Sequence, residues 1–306
     1  MTIINNSTGA FFERSTSSLA DLRKRAEAIQ VQLGRGERLS RSSDDPVAAS
    51  RLRLLSRADR MNTIDVANAN RAMSDLSLAD AALSSFADYI GRAKELAVQA
   101  GNDTLTTQQR ASIGTEFGQI HAQLVTLANA RDSAGHALFG GQTAGDAYSI
   151  NLAGNAQYDG TPDSGEVPIS DGQSVTRSLT GPEFLNFSVN GNPTDLMAVV
   201  KSLADALQGA AADPAAAARD SLASLDAGME ALTTSQTVVG TRLAWIELTV
   251  ERATNQGELR AGEEAELGGT DIAASVASLQ EVMLVLEASQ ASFARLAKLS
   301  LFDMVR

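Results

Sequence analysis

The sequence predicts a mainly α-helical protein whose N- and C-terminal segments form a long antiparallel helical bundle or coiled coil, with a small β-rich insert at its distal end. Three observations support this fold. Apolar residues recur at alternating spacings of three and four residues towards both ends of the chain. That pattern disappears in a glycine-rich middle stretch. Aromatic residues make up only 4% of a chain that is 43% hydrophobic, a composition that favours closely packed helices.

The first helical segment is predicted within residues 1–43. Its apolar positions follow the 3-4-3-4 heptad spacing, and they are Leu19, Leu22, Ala26, Ile29 and Leu33. Gly34 and Gly36 interrupt the pattern, and residues 34–43 are polar. We therefore expect a coiled-coil segment followed by a flexible break.

A second segment, residues 44–138, begins with a helix start signal. Asp44 and Asp45 can cap a helix, and Pro46 fits its first position because the missing N–H has no partner there. The helix should run to about Ala100, with a buried stripe of Leu76, Ala79, Leu83, Phe86, Ile90, Ala93, Ala97 and Ala100. Thr106 with Gln109 predicts a capping box for the next helix, which fades near residue 134.

A β-rich insert is predicted for residues 139–193. The strand candidates are Tyr148–Leu152, Val167–Ile169, Val175–Leu179 and Phe184–Val189, and turn signals such as Asn190-Gly191 separate them. A helix should resume at residues 194–195 and run to about Leu207.

The segment 194–268 carries the longest heptad pattern, which begins after Asp213-Pro214, a second cap-then-proline start. Its positions are Leu222, Leu225, Met229, Leu232, Gln236, Val239, Leu243, Ile246, Val250 and Ala253. Trp245 adjoins this stripe and is predicted to pack at a helix–helix boundary.

The last segment, residues 269–306, is predicted to pair with residues 1–43. Gly268-Gly269 ends the preceding helix, and Thr270 or Asp271 caps the final one. We define the terminal seam as nine predicted assembly residues: Leu19, Leu22, Ile29, Leu33, Val276, Leu279, Met283, Leu286 and Phe293. Isolated helices are marginal in water, so we expect both ends to need neighbouring subunits.

The composition argues against several functional classes. A net charge of −12 disfavours binding to the anionic backbone of nucleic acids. The chain has no cysteine and only two histidines, His121 and His136, so we expect neither a catalytic site nor a metal or other cofactor. No cleaved secretory signal is expected, and the uninterrupted apolar runs are too short to suggest membrane insertion.

Several motifs resemble those of the flagellar hook-associated protein 3 family, within the bacterial flagellin superfamily. They are the segments 36–39 (GERL), 43–49 (SDDPVAA), 137–141 (ALFGG), 239–243 (VGTRL) and 299–303 (LSLFD). The resemblance covers roughly residues 1–140 and 213–306. The chain departs from the family pattern at its end, where Met-Val-Arg at positions 304–306 replaces Tyr-Leu.

This resemblance implies a structural subunit located outside the cell, at the junction between the flagellar hook and filament. The partners it implies are further copies in a ring, hook-associated protein 1 and flagellin, with an export chaperone on the C-terminal helix. It also implies secretion through the flagellar export apparatus without a cleaved signal peptide.

Two other functions remain open from the residues. Flagellin shares the architecture, although Asp-Asp-Pro-Val-Ala at positions 44–48 and Phe302-Asp303 favour the junction family. A secreted adhesin would recognise a surface through aromatic residues of the insert, such as Tyr148 and Tyr158. Those aromatics fit strand positions, which favours a role in the insert's own core.

Overall fold

The computed structural model describes residues 3–39 and 41–303 and is built mainly from long helices. The helices are α1 (Ile3–Arg35), α2 (Pro46–Ala100), α3 (Thr107–Ala128), α4 (Gly181–Leu185), α5 (Leu196–Asp205), α6 (Pro214–Gly268) and α7 (Ile272–Asp303). One π-helical turn, Ala206–Ala210, follows α5. The chain divides into a terminal unit, Met1–Arg60 with Gln256–Arg306, and a central unit, Met61–Asn255. The predicted helical class is confirmed.

Helix starts follow the predicted capping chemistry. The first residue of α2 is Pro46, and the carboxylate of Asp45 accepts a hydrogen bond from the N–H of Ala48 at 3.0 Å. At α3, the hydroxyl of Thr106 accepts from the N–H of Gln109, whose side chain in turn accepts from the N–H of Thr106. These local bonds satisfy donors that have no partner within the helix.

The insert forms three antiparallel hairpins. Its strands are β1 (Tyr148–Ile150) paired with β2 (Ala156–Tyr158), β3 (Glu166–Ser170) paired with β4 (Gln173–Thr176), and β5 (Asn186–Val189) paired with β6 (Asn192–Asp195). The Asn190-Gly191 turn has positive φ at both residues, as a two-residue hairpin turn requires. The predicted turn therefore closes β5 onto β6.

The insert and the helix that follows it differ from the predictions in three details. The expected strand Phe184–Val189 begins as helix α4, because the carboxylate of Glu183 accepts from the N–H of Thr180 and stabilises a helical turn. Strands β2 and β6 were not expected, since their short sequences lack clear alternation. Helix α5 consequently starts at Leu196, with Asp195 as its cap, and ends at Asp205.

The core of the central unit joins helices to the insert. All eight predicted stripe positions of α2 between Leu76 and Ala100 are fully buried. The ring of Phe184 lies 5.3 Å from Phe86 and 4.8 Å from Phe139, between centroids. Aromatic pairs in such arrangements add about 0.5–1.5 kcal/mol beyond burial of their area. Phe184 therefore ties the insert to α2.

Helix α6 buries one edge of its predicted heptad stripe. The fully buried positions recur at intervals of seven, and they are Leu225, Leu232, Val239 and Ile246. Trp245 differs from its prediction, because it is 37% exposed and points away from the core that Val239 and Ile246 enter. Adjacent side chains on a helix point about 100° apart, so the burial of Ile246 does not imply that the neighbouring Trp245 is buried.

A charged cluster fixes the insert against the helical part of the central unit. Arg177, which follows β4, donates to the carboxylate of Asp75 on α2 at 3.1 Å and to the carboxylate of Asp132. Both aspartates are buried. Burial opposes ionisation of Asp132, but hydrogen bonds from the N–H groups of His136 and Ala134, with the charge of Arg177, lower its pKa.

The Arg177→Met variant should lower the free energy of unfolding by about 3 kcal/mol at neutral pH, because two buried carboxylates lose their cation. Chemical denaturation followed by circular dichroism measures this change. Arg92→Met is the matched control: Arg92 pairs with Glu95 and Glu116 at the surface, and its loss should cost less than about 1 kcal/mol. Equal effects of the two variants would contradict a structural role for Arg177.

The stabilisation through Asp132 should also depend on pH. Because the folded-state pKa lies below the ordinary value of 3.8, this contribution is fully present above that pH and is lost as the pH falls through the folded-state pKa. The difference between wild type and Arg177→Met should therefore shrink below about pH 4. Denaturation curves collected from pH 3 to 7 would show it, and a constant difference would argue against the ion pair.

Candidate functional site

The terminal unit contains an antiparallel pair formed by α1 and α7. Near one end of the pair, the rings of Phe12 and Phe293 meet edge to face, with centroids 5.4 Å apart. Near the other end, Glu37 and Gly269, which follow α1 and precede α7, form an isolated antiparallel β-bridge. The two predicted terminal helices are thus brought together along their length, as the heptad pattern indicated.

The breaks next to α1 and α7 are bonded to each other. The N–H of Arg38 donates to the carbonyl of Gly268 at 2.7 Å, and the N–H of Thr270 donates to the carbonyl of Gly36 at 3.0 Å. Gly36 has a φ of 72°, a left-handed conformation that suits glycine. The sequence predicted two flexible breaks, but it did not reveal that they join. We call this bonded pair of breaks the joint.

Arg38 reinforces the joint through its side chain. Its guanidinium donates to the carbonyl of Leu267 at 3.0 Å and to the carboxylate of Asp45 at 3.3 Å. Hydrogen bonds from the N–H of Ala48 and from Arg38 lower the pKa of Asp45. Asp44, also predicted as a cap, instead accepts from the N–H of Arg41 at 2.8 Å. The predicted cap signature, Asp44-Asp45-Pro46, therefore lies at the joint as well as at the start of α2.

The pair buries little of the terminal seam. Leu286 is 9% exposed, and Ala26 of α1 is also buried. Half-buried seam residues are Leu19, Leu22, Ile29, Leu33, Leu279 and Phe293. Val276 and Met283 are 38% and 47% exposed, so the pairing with α1 leaves much of these two side chains uncovered. The role of the terminal seam in assembly stays a prediction. The side chains of Val276 and Met283 are available for contacts with other subunits.

The outer faces of the two helices differ in chemistry. Helix α1 carries exposed charges, which are Glu13, Arg14, Asp21, Arg23, Lys24, Arg25, Glu27 and Arg35. Between Ile272 and Arg295, α7 has only Glu281, Glu287 and Arg295 as charged residues. Its exposed apolar side chains are instead Ile272, Val276, Met283, Leu284 and Val285, and we call these five residues the α7 outer face.

The α7 outer face is unusual for a surface exposed to water. The stretch Ile272–Arg295 reaches a mean hydropathy of 1.4 and would be long and apolar enough to cross a membrane, although this single criterion is weak evidence. This stretch contains no long uninterrupted run of large apolar residues, because alanine and serine separate the larger side chains. Exposed alanines such as Ala277 and Ala291 would let another helix approach closely.

Ionisable groups do not form a reactive constellation in the described residues. No group of three or more His, Asp or Glu side chains there is placed to hold a metal ion. Burial lowers the pKa of His121, which favours its neutral form. His136 is exposed, and its Nδ1 lies 3.4 Å from the carboxylate of Asp132. Within the described part of the terminal unit, the exposed apolar surface of α7 is the candidate binding surface.

The chain shows similarity to flagellar proteins over most of its length. A family model of the bacterial flagellin N-terminal helical region matches residues 11–144. Over 306 aligned residues the chain is 28% identical to flagellar hook-associated protein 3 of Escherichia coli, with 94% of each chain covered. It is 30% identical over 190 residues to the same protein of Salmonella typhimurium, covering 61% of this chain and spanning 58% of that relative's length.

Two further similarities are more restricted. Flagellin of Listeria monocytogenes is 33% identical over 114 residues, which is 35% of this chain and 39% of that flagellin. The solved structure of hook-associated protein 3 from Legionella pneumophila superposes with a TM-score of 0.64 at 16% identity, covering 71% of this chain and 98% of the other. At that identity, the structural match establishes a shared fold.

Amide hydrogen exchange of the free monomer should separate the two units. We expect residues 10–35 and 272–295 to exchange much faster than the core of α2, because the α1–α7 pair buries few large side chains. Exchange measured by mass spectrometry provides the test, with the buried stripe from Leu76 to Ala100 as the internal reference. Equal protection of α7 and α2 would show that the pair is stable without partners.

Proposed function

Because this chain belongs to the hook-associated protein 3 family of the flagellin superfamily, we propose that it forms the adaptor ring between hook-associated protein 1 and the flagellin filament. In this proposal the chain is a structural subunit of the bacterial flagellum. The similarity to hook-associated protein 3 spans the terminal helices as well as the central unit.

The observation that carries the proposal is the α7 outer face. Burying a large apolar side chain contributes roughly 1.5–3 kcal/mol, so covering these five residues would supply several kcal/mol to assembly. These five side chains are exposed although α1 packs against α7, so α1 does not cover them in the single chain. In a ring, neighbouring subunits would cover the α7 outer face.

The five predicted segments have distinct roles in this proposal. Residues 1–43 and 269–306 form the inner layer, and residues 44–138 and 194–268 form the helical body. Residues 139–193 form the insert. The proposed partners are further copies of the chain, hook-associated protein 1 and flagellin. The proposed location is outside the cell, after export through the flagellar apparatus without a cleaved signal.

Two further parts of the proposal follow from the same surface. Large exposed apolar faces favour association between proteins. A chaperone that covers α7 before assembly would therefore prevent premature association of the subunits. We also propose that the chain has no enzymatic activity and binds no cofactor. The surface that carries the proposal, the α7 outer face, is apolar and suits close packing of helices. We do not propose nucleic acid or lipid as partners. In this proposal, neighbouring subunits rather than a lipid bilayer cover α7.

The Met283→Glu variant should block incorporation into flagella, because it places a charge on the α7 outer face where a neighbouring subunit would exclude water. Incorporation is measured by immunoblotting of isolated flagella from cells that carry the variant as their single copy. Ser278→Glu is the matched control, since Ser278 is exposed, lies about 140° around the helix from Met283, and receives the identical charge. Unfolding curves should be unchanged for both variants.

The proposal is contradicted if Met283→Glu incorporates as well as Ser278→Glu. A variant that also fails to fold would be recognised by its circular dichroism spectrum. Leu284→Glu provides a second test on the same face, because Leu284 is 68% exposed and contributes little to folding.

The number of copies per flagellum distinguishes a junction subunit from flagellin. Flagellin remains the alternative because part of the chain matches it at 33% identity. A ring should contain few copies, whereas a filament requires thousands, because a ring is a closed assembly and a filament an open one. Quantitative mass spectrometry of isolated flagella gives this number. A count comparable to that of the filament protein would replace the junction assignment by flagellin.

A further inference from the structure

Helix α6 carries a second apolar row on the side away from its buried stripe. We define the α6 outer row as Val238, Thr241, Trp245 and Leu248, which repeat at spacings of three, four and three. All four are exposed, whereas Val239 and Ile246 on the buried stripe are 0% exposed. The helix is therefore apolar on two sides, and one chain covers only one of them.

The α6 outer row has the features of a protein-binding surface. Thr237, Val238, Thr241, Arg242 and Trp245 line an open groove. Tryptophan and arginine are also the residue types most enriched at energetically important interface positions.

Helix α2 presents a matching surface near its start. We define the α2 outer row as Val47, Ser50, Leu54 and Arg57, with the same spacings of three, four and three. All four are exposed, and Val47 and Leu54 lie seven residues apart as Val238 and Trp245 do. Two helices with this heptad spacing can pack against each other by inserting side chains between those of the partner.

The charges beside the two rows are opposite. Residues 51–60 contain four arginines and one aspartate. Residues 247–258 contain three glutamates and one arginine. Arg53, Arg57, Glu247 and Glu251 are all exposed. Complementary charges across an interface guide association and fix which surfaces meet.

We infer that the α6 outer row of one subunit binds the α2 outer row of a second copy of this chain. The inference rests on the proposed function, and it names the surfaces through which copies meet. Different surfaces of the two copies meet in this contact, so each bound copy leaves one row free for another copy. Contacts of this heterologous type close into rings when the rotation between subunits permits.

Cysteine cross-linking tests this contact directly, because the chain has no cysteine of its own. Cells would produce two differently tagged full-length copies, one with Thr241→Cys and one with Ser50→Cys. Both sites are exposed, so neither substitution should disturb folding. Treating isolated flagella with a short bismaleimide should yield a dimer that carries both tags.

The control pair is Thr254→Cys with Ser56→Cys. These residues are exposed on the same two helices but lie on sides away from the outer rows, so the control should give at least a tenfold lower dimer yield. Equal yields from both pairs, or a dimer with the control pair alone, would overturn the inference. A dimer between the tagged copy and a different flagellar protein would also overturn it, since the α6 outer row would then have another partner.

A charge exchange provides an independent measurement. Arg57→Glu alone and Glu251→Arg alone should each reduce the amount of protein in isolated flagella at least fivefold, and the double variant should restore it. Loss without restoration would count against the contact. If the Thr241→Cys and Ser50→Cys copies are present in flagella but do not cross-link, the inference fails while the proposed function stands. If unmodified protein is absent from flagella, both fail.

Discussion

Most features of this structure depend on one constraint: long helices carry more apolar surface than a single copy of the chain can cover. A helix with one apolar stripe needs one neighbour, whereas α6 and α7 each have apolar side chains on two sides. In the central unit, α2, α3, α5 and the insert satisfy the inner stripe and form an aromatic core around Phe184. In the terminal unit, α1 covers one side of α7 and leaves the other exposed.

The sequence predicted the helical part well because its signals are local. Pro46, Thr106 with Gln109, and Pro214 each mark a helix start through bonds or steric limits within one turn. The long stripes then identified buried faces, since their periodicity extends over many turns. The Asn190-Gly191 turn was predictable for the same reason, because a positive φ is a property of those two residues.

Features that depend on distant residues were not predictable in this way. The contact of Arg177 with Asp75 joins residues about one hundred positions apart, and nothing near either residue indicates it. The joint combines two breaks more than two hundred residues apart. The exposure of Trp245 and Met283 depends on which side of each helix the rest of the chain covers. Periodicity identifies an apolar stripe, but it does not show which element packs against that stripe. The sequence therefore predicted which helices would pair, whereas the structure shows which of their side chains stay exposed.

The joint also affects how the terminal helices respond to mechanical load. Gly36 and Arg38 are bonded through their backbones to Thr270 and Gly268, so the polypeptide after α1 and the polypeptide before α7 are held side by side. A pull along either helix acts in shear on two backbone hydrogen bonds at once, and they must break together rather than one after the other. Glycine flexibility alone would let each break stretch separately. The paired arrangement makes α1 and α7 extend as one element under tension.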